Sequence, residues 1–223
     1  MSVNTADFSL VITNYNRGRF IDRAVRSCLN QYLLRKTVEV VVVDDSSNDD
    51  SLKVLREFKS DVKLIELKKN KGVANASNVG LTNSNARYWM RVDADDYLSA
   101  EACLHMGAIL DNNPDYDFVY CDHIRVDVRG FREAYIRLDT EKKLFEHGAG
   151  VLFRKSRLVD IGGYDESLRN AEDYDLLLRL KRCGSKGFYL PVPLYRYYIH
   201  GDNITLSSER EVYWSKVNEK HSI

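Results

Sequence analysis

Three polar clusters stand where short hydrophobic runs end. Thr13-Asn14-Tyr15-Asn16 closes the run from Phe8, Asp44-Asp45-Ser46-Ser47 closes Val38 to Val43, and Asp93-Ala94-Asp95-Asp96 closes Tyr88 to Val92. Asp122 ends a further run at Phe118 to Cys121. So many carboxylates at strand ends repel one another unless something positive sits among them, and a divalent cation is the simplest partner. Asp93 and Asp95 are two apart, so in extended backbone they share a side and can reach one ion, or an ion and a ribose. Carboxylate and water ligands suit Mg²⁺ or Mn²⁺, which share their shell with substrate phosphates. An acidic turn after a strand is, taken alone, just as well a solvated turn; the hydrophobic strand before it favours a site.

Asp44 and Asp45 can accept the imide N–H of a uracil while Tyr15 stacks on the base. The plainer account is a helix start, since Ser46, Ser47, Asn48, Asp49 and Asp50 all favour one. Glu172-Asp173 opens another helix, where acids suit the dipole. A carboxylate there can also act as general base toward an attacking hydroxyl. His200 ends an aromatic strand and is read either as a metal or pyrophosphate contact or as a loop hydrogen-bonding group. His105, His123, His147 and His221 form no ligand-spaced pair, and Lys68, Lys69 and Lys71 read as a solvated turn. The first turn reads TNYNRGR rather than GxGxxG, and no GxxxxGK[ST] occurs, which argues against a dinucleotide fingerprint and a P-loop.

These groups need strands that end at one edge. Up to about residue 122, β-branched runs alternate with helical spacing, as in Phe20, Ala24 and Cys28 with Ile21, Val25 and Leu29. Further helices are expected around Leu52 to Phe58, over Ala74 to Leu81, and after Ser99, read as an N-cap with Leu98 and Cys103 as a staple. Repeated β-α units require crossovers and a mostly parallel sheet covered on both faces, an α/β fold whose ligands bind beyond the strands' carboxyl ends. Residues 123–147 read as loops and edge strands. A strand at Val151 to Phe153, a helix from Ser156 to Ile161 stopped by Gly162 and Gly163, and a helix over Tyr174 to Cys183 follow. Leu190 to Tyr198, with its two prolines, reads as an edge strand. A last helix is expected from about Ser208.

The 223 residues carry 33 Lys+Arg against 33 Asp+Glu, a formal net charge of zero. A nucleic-acid binder needs a basic surplus, so that class is set aside. Four dispersed cysteines with no CxxC read as free thiols in a reducing compartment. No run approaches a membrane span and the N-terminus shows no signal-peptide pattern, so the expected setting is cytoplasmic. Peripheral contact with the inner face of a membrane, and oligomerisation, stay open.

In order and spacing, these blocks resemble family 2 glycosyltransferases of the GT-A fold across essentially the whole chain. The matching segments are Leu10-Val11-Ile12-Thr13-Asn14-Tyr15-Asn16-Arg17, Val43-Asp44-Asp45-Ser46-Ser47, Asn70-Lys71-Gly72 with Asn78-Val79-Gly80, Arg91-Val92-Asp93-Ala94-Asp95-Asp96, Gly148-Ala149-Gly150, Gly162-Gly163-Tyr164-Asp165-Glu166 and Ala171-Glu172-Asp173-Tyr174. The resemblance implies a Rossmann-like, mostly parallel sheet with a smaller mixed region on the acceptor side, in a single domain over 1–223. Residues 1–122 would form the nucleotide-sugar-binding half and 123–223 the acceptor-binding and catalytic half.

It further implies an inverting transfer from a nucleotide sugar, with UDP-sugar expected, to a hydroxyl of a glycan or lipid-linked acceptor, assisted by Mn²⁺ or Mg²⁺. Thr13, Tyr15, Asp44, Asp45, Asn78, Asp93, Gly150 and Glu172 would hold the donor. Asp95 and His200 would hold the metal, and Asp173 would be the base. Ser77 stands where the family often has arginine, so a cation near the donor must come from elsewhere, such as Lys71 or Arg91. Little chain follows residue 200, which implies that a partner, a lid or a membrane surface completes the acceptor pocket. A non-catalytic nucleotide-sugar-binding protein and a sugar nucleotidyltransferase are the alternatives, and the latter would need a Gly-rich basic triphosphate loop that is not found.

Overall fold

The computed structural model describes residues 5–127, 129–201, 203 and 210–223. In the first half, β1 (Ala6–Asn14), β2 (Val38–Asp44), β3 (Lys63–Glu66) and β4 (Ala86–Asp93) are joined through α1 (Ile21–Leu29), α2 (Ser51–Arg56) and α3 (Val73–Asn83). The strands lie in the order β3-β2-β1-β4, all parallel. Alternation along β1 and β2 explains the double cover. Phe8, Leu10, Ile12, Val40 and Val42 pack with α1 residues Ile21, Ala24, Val25 and Cys28 on one face. Val11, Val41 and Val43 pack with Ala74, Ala76 and Leu81 of α3 on the other.

The second half adds β5 (Tyr97–Leu98), α4 (Ala102–Asn112), β6 (Phe118–Val126), β7 (Arg132–Ile136), α5 (Glu141–Glu146), β8 (Val151–Arg154), α6 (Lys155–Asp160), α7 (Glu172–Arg182), β9 (Gly187–Tyr198) and α8 (Arg210–His221). One sheet continues through them as β4-β8-β6-β9-β5, with β7 on β6. The parallel expectation is met in the first half and corrected in the second. β8 inserts antiparallel between β4 and β6, and only β6 and β9 pair in parallel. Gly162 and Gly163, at φ of 79° and 70°, close α6 as expected, with the Gly163 N–H donating to the Leu158 carbonyl.

Several local expectations are corrected. Ser99 does not cap α4: its hydroxyl donates to Glu101, and the short strand β5 ends immediately before it. β6 runs four residues past Asp122, because β7 and β9 flank it there. Within residues 123–147 the helix α5 forms, capped by Thr140 Oγ1, which accepts from the Lys143 N–H. β9 is flanked by β5 only at Tyr195 and Arg196, so its proline-bearing part keeps an open side. Ser208 lies outside the described residues. α8 is fixed to α7 by the buried Asp175, which accepts from Lys220 Nζ at 2.7 Å and pairs with His221 Nε2 at 2.8 Å.

Asp122 is the most informative of these differences. It sits inside the sheet, where its carboxylate accepts from Tyr135 Oη at 2.8 Å, Tyr189 Oη at 2.7 Å and the Leu138 N–H at 2.8 Å. It therefore anchors β7, β9 and the chain before α5, rather than joining the carboxylates at the strand ends. Asp122→Ala strands these donors and is expected to cost about 2–4 kcal/mol of stability, read by urea unfolding, with donor binding to the folded protein unchanged.

Candidate active site

A cavity of about 490 Å³ opens beyond the carboxyl ends of β1, β2 and β4, where ligands of parallel sheets bind. Its first-half wall carries Thr13, Tyr15, Arg17, Asp45, Asp93 and Asp95. Its second-half wall carries His147, Gly148, Arg169, Glu172, Asp173 and Trp214. Thr13 reaches it because β1 pairs Thr13 with Asp93 of β4, and Tyr15, 44% exposed, stands just past the strand.

Asp45 is buried in that wall and accepts from the backbone N–H groups of Lys71 (2.8 Å) and Gly72 (2.7 Å). Burial raises its pKa, against those two hydrogen bonds and the nearby Arg169. Gly72 adopts φ of 93°, and a side chain there would come within 2.7 Å of Arg169 Nη1. Arg169 therefore closes on this loop and brings a cation to the cavity lining; Ser77 itself is buried and donates to the Val73 carbonyl.

Three expected donor contacts are placed elsewhere. Asp44 does not line the cavity: Oδ1 accepts from Asn14 Nδ2 at 2.7 Å and Ser47 Oγ at 2.6 Å, while Oδ2 accepts from the Ser47 N–H. Its oxygens hold the turn, the plainer of its two accounts. Asn78 faces away from the cavity and binds the loop after α6, donating to the Tyr164 carbonyl and Glu166 and accepting from the Tyr164 N–H. Gly150 lies behind the wall formed by Gly148 and Ala149. Its φ of 68° and the Tyr195 ring, 2.8 Å from where a side chain would begin, account for the glycine.

Asp93 and Asp95 both line the cavity. Asp95 Oδ2 lies 2.8 Å from His200 Nε2 and 3.0 Å from Arg17 Nε. Arg23 of α1 holds the same turn by donating to the Asp95 carbonyl, its guanidinium between the Tyr97 and Tyr198 rings. His200 is further fixed by stacking on Phe20 and by its backbone N–H donating to Asn203 Oδ1, the loop role among its two readings. Among the described residues no three or more His, Cys, Asp or Glu side chains converge as a complete metal cage. A carboxylate and an imidazole in contact nevertheless fit an Mn²⁺ or Mg²⁺ ion that draws its remaining ligands from a diphosphate and water.

Where the two walls meet, one guanidinium gathers three carboxylates. Arg91, buried on β4, meets Asp93 Oδ1 through Nε at 3.1 Å, Glu172 Oε1 through Nη1 at 2.9 Å and Asp173 Oδ2 through Nη2 at 2.5 Å. Glu172 and Asp173 open α7 after Ala171, which takes left-handed backbone (φ 61°, ψ 18°). Such a conformation is strained for a non-glycine residue. Gly148 packs so closely on Asp173 that a side chain there would collide with Asp173 Cβ. Burial pushes Asp173 up to about 7; Arg91 opposes the rise, and Glu172 and Asp93 add to it. Asp173 Oδ1 has no hydrogen-bond partner among the described residues, its Oδ2 being held by Arg91.

Arg91, named from the sequence only as one possible cation near the donor, stands in the buried strand Tyr88-Trp89-Met90-Arg91-Val92, where a charge must find partners. Sequence reasoning missed other lining groups. His123 and His147, unremarkable by spacing, meet in the cavity with ring centroids 6.1 Å apart. Burial holds His123 near 3 and therefore neutral. The last helix expected from the sequence, α8, reaches the cavity, where Arg210 and Trp214 line it and Trp214 stacks on Tyr174 at 4.2 Å.

The chain is 29% identical over 228 residues to chondroitin synthase of Escherichia coli, covering 96% of this chain and 32% of that protein. It spans less than two thirds of the length of the curated relatives it first matches. Among solved structures, Staphylococcus aureus TarS 1-349 in complex with UDP-GlcNAc superposes with a TM-score of 0.77 at 22% identity, over 91% of this chain and 61% of that one. The mannosyltransferase PcManGT from Pyrobaculum calidifontis, in complex with GDP-Man and Mn²⁺, gives 0.78 at 18% identity, over 99% and 65%. These likenesses bear out the GT-A-type α/β fold. The family model "Glycosyl transferase family 2" matches residues 9–164, which takes in β1 from Ser9 onward, the Asp45 and Asp93 strand ends and the Gly163-Tyr164 turn. With that match covering more than half of its length, the chain belongs to glycosyl transferase family 2.

Proposed function

We propose that this protein is an inverting, metal-assisted glycosyltransferase that moves a sugar from a UDP-sugar to a hydroxyl of a polysaccharide or glycolipid acceptor. One feature supports it above others: Asp45, Asp93 and Asp95 at the strand ends and Asp173 on α7 line the same cavity. Tyr15 and Thr13 would hold the base, with Asp45 shaping the Lys71-Gly72 loop beside it. Asp93 would face the ribose, and Glu172 would brace the wall through Arg91. The solved relatives with UDP-GlcNAc and with GDP-Man and Mn²⁺ support a nucleotide-sugar donor.

Asp95 and His200 would hold Mn²⁺ or Mg²⁺, whose charge offsets that of the departing diphosphate. Asp173 would accept the proton of the acceptor hydroxyl through Oδ1. The hydroxyl oxygen then bonds to the anomeric carbon as the bond to the β-phosphate oxygen breaks, that electron pair leaves with the diphosphate, and the anomeric configuration inverts. His123, His147 and Trp214 would line the acceptor side. All four cysteines are free thiols, three of them buried, which supports a reducing cytoplasmic setting. Among the described residues no helix is long and apolar enough to cross a membrane, and contact with the inner membrane face is a peripheral one in this reading.

The test is a screen of UDP-, GDP- and dTDP-sugars for binding and for nucleotide release, with and without Mn²⁺ and oligosaccharide acceptors. UDP-sugar turnover that requires Mn²⁺ is expected, and binding without transfer to any acceptor class would count against catalysis.

Two variants refine it. Asp173→Asn is expected to lower kcat by about 10²- to 10⁴-fold with donor Kd little changed. The working form of Asp173 is the carboxylate, so wild-type kcat should plateau above about pH 7 and fall by about tenfold per pH unit below it. Unfolded Asp ionises near pH 3.9, so the folded state binds the extra proton between there and about pH 7. Stability from this group therefore declines as pH rises through that window, and the asparagine variant should escape the decline in thermal scans. Gly148→Ala, which displaces Asp173, is expected to lower kcat by about 10²-fold with Kd for the donor retained.

A further inference from the structure

Arg91 is placed by β4 at the junction of the two walls, and its planar fork offers five N–H donors in fixed directions. Nε serves Asp93 on the donor side, while Nη1 and Nη2 serve Glu172 and Asp173 on α7. We propose that Arg91 is the positioning residue for Asp173, holding it by Oδ2 so that Oδ1 meets the acceptor hydroxyl and keeping it ionised beside two other carboxylates. The proposal rests on Asp173 being the base.

The surroundings of Asp173 leave this task to Arg91. Glu172 from its own helix and Asp93 from the end of β4 are both anions. Tyr164, from the loop before α7, is a buried phenol whose pKa burial and these carboxylates raise, so it stays neutral, with Arg91 5.6 Å from its ring centroid. Gly148 packs against another side of it without charge, and burial lowers the pKa of His147 beside that glycine. With Arg91 removed, burial and two negative neighbours act on Asp173 without the charge that opposes them, and the acid keeps its proton to higher pH. A carboxylic acid in that state cannot take the acceptor's proton. The rotamer also loses its tether, because Oδ2 has Arg91 as its hydrogen-bond partner.

The experiment is a set of kcat–pH profiles from about pH 5.5 to 9.5 at saturating donor and acceptor for wild type, Arg91→Gln and Arg91→Lys, with Asp173→Asn as reference. Arg91→Gln is expected to move the acid limb upward by about one pH unit or more, so kcat at pH 7 drops by about tenfold or more and recovers toward alkaline pH. Arg91→Lys keeps the charge but cannot span three carboxylates, so a smaller limb shift with partly restored kcat is expected. A limb that stays at the wild-type position in Arg91→Gln, with kcat lowered evenly across the range, overturns the proposal. If the glutamine variant does not fold by circular dichroism, the lysine variant decides: a wild-type kcat and limb there overturn it equally. Retained activity in Asp173→Asn would instead sink the base assignment itself, whereas an inactive Asp173→Asn alongside an unmoved Arg91→Gln limb removes only the role given to Arg91.

Discussion

A single buried guanidinium joins the halves of this molecule where its chemistry is expected. Three carboxylates crowd within hydrogen-bond distance of Arg91, and without that charge Asp93, Glu172 and Asp173 would repel one another in a partly dry wall. The arrangement ties the end of a parallel strand to the first turn of α7, elements 81 residues apart in sequence. It also explains why β4, otherwise hydrophobic from Tyr88 to Val92, tolerates an arginine in its middle.

Holding a carboxylate there is costly, and the local structure reflects it. Asp173 is pushed to about 7 by burial despite its arginine partner. Ala171 adopts left-handed backbone just before it, at a cost on the order of 1 kcal/mol or more. Gly148 is bare because the approach to Asp173 leaves no room for a side chain. Strain, close approach and a perturbed carboxyl therefore coincide at the start of α7, the pattern common where side-chain placement outweighs local stability.

The aspartates divide by the direction in which their strands and turns point them. Asp44, Asp122 and Asp175 spend their oxygens on N–H, hydroxyl, imidazole and ammonium donors of the protein itself, holding a turn, three sheet segments and the last helix. Asp45, Asp93 and Asp95 face the cavity, although Asp45 does so while holding the Lys71-Gly72 loop. Neighbours such as Asp44 and Asp45 take opposite parts because successive residues in extended chain point opposite ways.

Much of this was legible in the residue order. β-branched runs broken by helical spacing were enough for parallel strands covered on both faces, since that periodicity reflects which side of each element must leave water. Asp93, Asp95 and Asp173, expected from the sequence at strand and helix ends, all line the cavity. Nothing local could separate Asp44 from Asp45, turn Asn78 and Gly150 away from the cavity, or bring His123 to His147. The insertion of β8 between β4 and β6 was equally hidden, because an antiparallel neighbour leaves no mark on a four-residue strand. Local sequence thus determined where polar groups leave the sheet, through periodicity and capping. Only the folded chain decided which of them meet, because those meetings depend on long-range pairing that brings Arg91 and Arg169 to carboxylates far away in sequence.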